Sequence, residues 1–283
     1  MSDSKLIEIS LRTDDGAVLH MEGPPAGRAV LVLHGLGYAS WAADPLRHAL
    51  GEDLGLWSLD NRGTGRSTPG RRPFSIEQFA ADAAHAVEAL RPPITVVGYS
   101  MGGYIAQLLA LTRPELVSSL ILIGTSAGGT SSVPVPEATR EAWLDAVGTP
   151  PEAYAERTMP FSFRDGWPES NAANYERIIR SRLAHPTPAD TWRAQYDACE
   201  RFLRTGSQIS KIATSTLVLQ GAADRVLPVG NGRAIAEALP SARYREVPAA
   251  GHLLHLEEPD LVAAEIHRLH SLPSRPAEND IKD

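Results

Sequence analysis

The stretch that most restricts how this chain can fold is Ile94-Thr95-Val96-Val97-Gly98-Tyr99-Ser100-Met101-Gly102-Gly103. Its β-branched apolar start predicts a strand, and residues 104–111 behind it predict a helix. Between them stands Gly-x-Ser-x-Gly. In a strand–turn–helix setting this pattern makes a nucleophile elbow, a tight turn that lifts the serine hydroxyl clear of the sheet. Gly98 and Gly102 suit the points where strand and helix approach, because neither carries a side chain that could clash. The helix N-terminus beneath Ser100 offers free N–H groups and a partial positive charge, both suited to a developing oxyanion. Five residues can match by chance, so the pattern gains meaning only from partners elsewhere in the chain.

The rest of the sequence reads as strands and helices in alternation. Residues 5–12 alternate apolar and polar side chains, Asp14-Asp15-Gly16 turns the chain, and 17–22 return, which predicts a hairpin at a sheet edge. The continuously apolar run 29–33 fits a strand covered on both faces. A helix follows at 42–50, with Pro45 near its first turn, and then a strand at 56–59. Ser75 and Gln78 resemble a capping box before a helix that Pro92-Pro93 end. The elbow comes next, and a strand at 120–123. Such alternation implies a mostly parallel sheet with helices on both faces, whose ligands bind beyond the carboxyl ends of the strands. His34, Asp60 and Ser100 all lie at such ends.

The alternation breaks at Thr125 and resumes with strands at 216–220 and 242–247, each followed by a helix, at 230–239 and 259–269. The predicted fold is therefore α/β: eight strands, mostly parallel, flanked by helices, with an inserted helical cap. Residues 1–124 and 208–272 form the core and 125–207 the cap. The polar tail 273–283 is expected to be disordered. Helices are predicted near 137–147, 171–183 and 189–202, with Pro150-Pro151, Pro160, Pro168 and Pro186-Thr187-Pro188 as separators. The insert carries Trp143, Trp167, Trp192, Tyr154 and other aromatics, most of which serve its own packing, while some can line an apolar pocket.

Composition narrows the function. A net charge of −7 with interspersed signs disfavours an electrostatic nucleic-acid binder. The single cysteine, Cys199, excludes an intrachain disulfide framework and a cysteine-rich zinc site, and is expected in the core of the insert. The start Met1-Ser2-Asp3-Ser4-Lys5 lacks a signal peptide's apolar core, and no apolar run is long enough to span a bilayer. The expectation is a cytoplasmic protein that acts on a small molecule, with no nucleic-acid or membrane partner.

A serine hydroxyl is a weak nucleophile that needs an imidazole to take its proton and a carboxylate to orient that imidazole. Asp224 and His252 each follow a strand at the sheet end that carries Ser100, in the chain order Ser, Asp, His. With Gly98-Tyr99-Ser100-Met101-Gly102-Gly103, His34-Gly35, Asp60-x-Arg62-Gly63-x-Gly65-x-Ser67, Gly221-x-x-Asp224 and Gly251-His252, the chain resembles the α/β-hydrolase superfamily over residues 30 to about 270. The resemblance implies Ser100 as nucleophile, His252 as general base and acid, Asp224 as its partner, and an oxyanion hole from the backbone N–H groups of Leu36 and Met101. In the family pattern His34 shapes the oxyanion loop. No cofactor or metal is implied. The resemblance points to hydrolysis of a carboxylic ester, lactone or thioester.

Rival readings stand beside these. Asp224 can be a helix N-cap. His255, three residues after His252, is the alternative base. Asp60 and Arg62 are most simply a buried ion pair or loop staple. His34-Gly35-Leu36-Gly37-Tyr38-Ala39-Ser40 with Asp60 imperfectly matches a dinucleotide fingerprint, with Ser40 where its third glycine or alanine belongs. The same fold can also serve a cyclase, an acyltransferase, a perhydrolase or a binding module.

Overall fold

A computed structural model describes residues 5–239 and 241–271; the tail predicted at 273–283 lies outside the described residues. Eight strands form one sheet: β1 (Ile7–Arg12), β2 (Val18–Gly23), β3 (Arg28–Leu33), β4 (Leu54–Leu59), β5 (Ile94–Tyr99), β6 (Val117–Ile123), β7 (Ser215–Gly221) and β8 (Arg243–Val247). Their order is β1-β2-β4-β3-β5-β6-β7-β8, and only β2 runs against its neighbours. The eight-stranded, mostly parallel α/β fold expected from the sequence is the one observed, with β1 and β2 as the edge hairpin.

The period of two along β3 explains its unbroken apolar run. Leu31 and Leu33 enter one buried cluster, with Phe79, Tyr104 and Ile105, while Val30 and Val32 enter the other, with Leu46, Leu254 and Ile266. Helices Ile76–Glu88 and Met101–Thr112 cover the first face; Asp44–Leu50 and Pro259–Ser271 cover the second.

Residues 124–214 contain no strand. They fold into helices Glu137–Ala146, Pro151–Thr158, Trp167–Ser170, Ala172–Ala184 and Ala189–Thr205, with short 3-10 turns. Two of these, Pro151–Thr158 and Trp167–Ser170, replace stretches read as proline separators. Both carry proline at the start, where its fixed φ suits a helix and its missing N–H costs nothing. The insert does not stand apart from the sheet. Phe202 stacks on Tyr104 with ring centroids 4.5 Å apart, and Cys199 lies in that same buried cluster. No helix among the described residues is long and apolar enough to cross a membrane.

Ser75 caps its helix as expected, accepting from the Gln78 N–H at 3.1 Å. The reciprocal half of the capping box does not form, because the Gln78 amide donates to Asp82 instead, also at 3.1 Å.

Candidate active site

Ser100 joins β5 to helix Met101–Thr112 at φ +53°, ψ −123°, outside the basins that L-residues favour. The surroundings enforce that geometry. Ser100 N–H donates to Ile123 O at 3.0 Å, and its carbonyl accepts from Gly103 N–H at 2.9 Å and Thr125 Oγ1 at 2.8 Å. The flanking glycines are obligatory by distance. A Cβ on Gly98 would lie 2.3 Å from Gly102 O, and one on Gly102 would lie 1.9 Å from Leu33 O. Strand, turn and helix therefore close to a separation that only glycine permits, and the serine stands at the tip.

Asp224 follows β7. Its Oδ1 accepts the N–H groups of Val226 and Leu227, both at 2.8 Å, and its Oδ2 accepts from Gln220 at 3.0 Å. Oδ2 also meets His252 Nδ1 at 2.8 Å. Asp224 is not the helix N-cap it could have been, since the next helix starts at Gly230 behind Val229; it holds the turn after β7 and the imidazole instead. With Nδ1 on the carboxylate, Nε2 is the ring atom left for proton transfer. A Cβ on Gly124, at the end of β6, would sit 3.3 Å from both His252 Nδ1 and Asp224 Oδ2, so the lack of a side chain there gives the pair its room. The loop that carries His252 is tied to the cap by Glu257, which accepts from Gly251 N–H at 3.1 Å and Arg164 N–H at 2.8 Å. Burial raises the Glu257 carboxyl above its ordinary range, opposed by those donors.

Ser100, His252 and Leu36 border one narrow cavity of about 40 Å³, together with Tyr38, Trp143 and Met159. No hydrogen bond joins Ser100 Oγ to the imidazole in this structure. Such contacts commonly tighten only when substrate binds. Met101 opens the helix behind Ser100, whose N-terminus has no side-chain cap. The Leu36 segment is held on both sides: Gly37 N–H donates to Gln195 Oε1 at 2.9 Å, and Gly37 O accepts from Thr187 Oγ1 at 3.1 Å. Both partners belong to the helical insert, so the insert holds the segment that carries Leu36.

His34 lies behind that loop, fully buried between Ser58 Oγ (2.6 Å) and Tyr99 OH (3.3 Å). Burial pulls its pKa down to about 3, which keeps the ring neutral. Asn61 donates to the His34 carbonyl at 3.1 Å. Asp60 and Arg62 do not pair with each other, so of the two simple readings of that motif the direct ion pair falls and the loop staple stands. Asp60 staples loops instead, accepting from the N–H groups of Ser40 (2.7 Å) and Arg66 (2.8 Å). Asp60 is fully buried, so a ribose has no access to it. Arg62 forms a bidentate pair with Asp82, at 2.6 and 2.7 Å, and reaches Asp15 at 2.9 Å.

His255 does not border the cavity. It is 1% exposed, its ring centroid lies 4.0 Å from that of Tyr99, and neither ring nitrogen has a hydrogen-bond partner among the described residues. Burial drives its pKa well below the ordinary histidine value, with His34 and His252 adding to the shift. As pH falls through about 6.5, the unfolded chain takes up a proton on this residue and the folded chain does not, so stability declines below that pH. His255→Phe keeps the ring contact and removes both unpaired nitrogens. Urea unfolding from pH 7 to 5 is expected to show equal or higher stability at pH 7 and a slope shallower by on the order of 1 kcal/mol per pH unit. Identical slopes in variant and wild type would refute this account.

Sequence reading passed over Arg182 and Gln195; it named Tyr154 among the insert aromatics of which some can line a pocket, and Tyr38 only within the loop after β3. Gln195 did leave a signal. It shares a buried helix stripe with Trp192, Cys199 and Phe202, and a polar residue on such a stripe needs a partner. Arg182 left none.

The model of the alpha/beta hydrolase family matches residues 30–265. A protein of Mycobacterium tuberculosis, provisionally named non-heme bromoperoxidase BpoC, is 31% identical over 240 residues, covering 83% of this chain and 91% of its own. A protein of Caulobacter segnis, provisionally named carbamate hydrolase RutD, is 29% identical over 257 residues, covering 88% and 94%. Among solved structures, a thermophilic esterase from Thermogutta terrifontis superposes with a TM-score of 0.76 at 26% identity, over 93% of this chain and 97% of that one. The enol-lactonase from Burkholderia xenovorans LB400 shares the fold, with a TM-score of 0.79 at 22% identity, over 93% and 100%.

Proposed function

Because the chain belongs to the alpha/beta hydrolase family, we propose that it is a serine hydrolase that cleaves a carboxylic ester, lactone or related acyl bond of a small, partly apolar substrate. The observation that carries this reading is a strained Ser100 bordering the same cavity as an imidazole whose Nδ1 is held by Asp224 at 2.8 Å. Ser100 Oγ attacks the acyl carbon while His252 Nε2 takes its proton. The carbonyl π pair moves to oxygen, where the N–H groups of Leu36 and Met101 stabilise the charge. When the tetrahedral intermediate collapses, the leaving oxygen takes the proton from His252 and the acyl group stays on Ser100. Water then repeats the sequence and releases the acid. Losing one such oxyanion donor typically costs about 10²–10³ in rate.

The relatives support a hydrolytic reading, and those named carbamate hydrolases widen the candidate scissile group to carbamates. The test is covalent. A fluorophosphonate probe is expected to label the protein once, on the peptide that contains Ser100, as read by mass spectrometry. Labelling that survives Ser100→Ala would end the assignment.

A further inference from the structure

We propose that Arg182 is an anion-recognising residue and that the substrate of this site carries a carboxylate besides its scissile acyl bond. This rests on the serine-hydrolase reading above. Arg182 lies in the last turn of helix Ala172–Ala184 and is only 8% exposed. Its guanidinium sits over the ring of Tyr38 at 4.8 Å and that of Tyr154 at 5.2 Å. Among the described residues it has no ion-pair partner, and its Nη1 is buried with no hydrogen bond. Arg62, the other deeply buried arginine described above, is matched by two carboxylates. A guanidinium hidden from water without a counter-charge is costly. Two aromatic faces offset part of that cost, yet they leave an in-plane N–H with nothing to donate to.

Position gives the unmatched charge a purpose. Arg182 and Tyr154 border the narrow cavity of Ser100 and His252, and they also border a second, roomier cavity of about 340 Å³ lined by Val147, Pro151, Leu183 and Trp192. Arg182 is therefore a wall residue of both. Gln195 approaches the same place. Its Oε1 holds Gly37 N–H, a Cβ on Gly37 would come within 3.7 Å of Arg182 Nη2, and Gln195 Nε2 is likewise buried without a partner. The unused groups around Arg182 are donors, and donors alone select a ligand group that only accepts. Among the described residues lining the two cavities, Arg182 is the sole arginine or lysine. One planar fork matches the two oxygens and single charge of a carboxylate, whereas a phosphate dianion would keep excess charge. Its seat in a helix's last turn suits a cation, but that does not require burial between two tyrosines at a cavity wall.

The experiment compares two esters with the same leaving group, mono-p-nitrophenyl glutarate and the uncharged p-nitrophenyl pentanoate. Wild type is expected to favour the acid ester in kcat/KM by at least about 10-fold, and Arg182→Gln to lower that ratio by about 10²-fold, chiefly through KM. Arg182→Lys, which keeps charge without the fork, is expected to retain part of the preference. Calorimetry with glutarate and glutaramide reads the anion site without turnover: wild type binds the diacid and not the diamide. Equal handling of the two esters by wild type, a ratio that moves less than about 3-fold in Arg182→Gln, or equal binding of diacid and diamide would overturn the proposal. Turnover without acid preference defeats this inference alone. Absence of both turnover and fluorophosphonate labelling defeats the serine-hydrolase reading, and glutarate binding then decides the anion site by itself.

Discussion

Ser100→Ala is expected to lower kcat for p-nitrophenyl ester hydrolysis by about 10⁵–10⁶, and His252→Ala to cost about as much, with the double variant little worse than either. The non-additivity follows from the geometry. In the proposed mechanism His252, held by Asp224 at 2.8 Å, accepts one proton, and without the hydroxyl that supplies it the imidazole would have no task. Ser100→Gly adds a signature that a merely structural serine would not give together with inactivation. At φ +53°, ψ −123° only glycine escapes the backbone penalty, so this variant is expected to be inactive and more stable by about 1–3 kcal/mol in urea unfolding. Inactivation of Ser100→Ala by less than about 10-fold, in a folded protein, would remove the serine from the mechanism.

Arg62→Met is expected to destabilise the fold by about 3–5 kcal/mol, the largest single-site stability effect expected here. Arg62 is fully buried, and its removal strands Asp15 and Asp82 with no counter-charge. Donors from Thr13 and Arg62, with the Arg72 backbone N–H, hold the Asp15 carboxyl far below the usual carboxylate range. Its contribution is therefore present above the unfolded value, about 3.9, and lost as acid drives the pH below it. In the variant both carboxylates lose their cation, and Asp15, whose carboxyl Arg62 helps to hold down, takes up a proton more readily. The stability gap is thus expected to be widest near neutral pH and to narrow in acid. Urea midpoints at pH 7 and pH 4 measure both statements, and a constant gap would contradict them. The effect extends to the candidate site, because the loop Arg62 anchors also carries Asn61, which holds the His34 carbonyl two residues before Leu36.

Several features were legible in the sequence because they depend on short-range geometry. A β-branched run with glycines two residues either side of Ser100 leaves one backbone solution, and the Leu33 carbonyl shows why: no Cβ fits at Gly102. Alternation of strand and helix signals carried the parallel sheet. Other features were misread for equally physical reasons. Pro151 and Pro168 looked like breaks although proline at a helix start is an opening. Gln78 looked like the second half of a capping box, but Asp82, one turn on, took its amide. Asp60 and Arg62, neighbours in sequence, turn to different partners.

What the chain determined by itself is the elbow, the order of strands and helices, and the placing of Ser100, Asp224 and His252 beyond strand ends, since side-chain period and backbone sterics act over a few residues. Tertiary structure alone gave two histidines three residues apart their different surroundings. It set His252 against Asp224 at the cavity and sealed His255 behind Tyr99. It alone buried Arg182 between Tyr38 and Tyr154, residues far from it along the chain. Burial and partnership belong to the packed molecule, and an arginine in a polar helix carries the same local signal whether it meets water or a substrate.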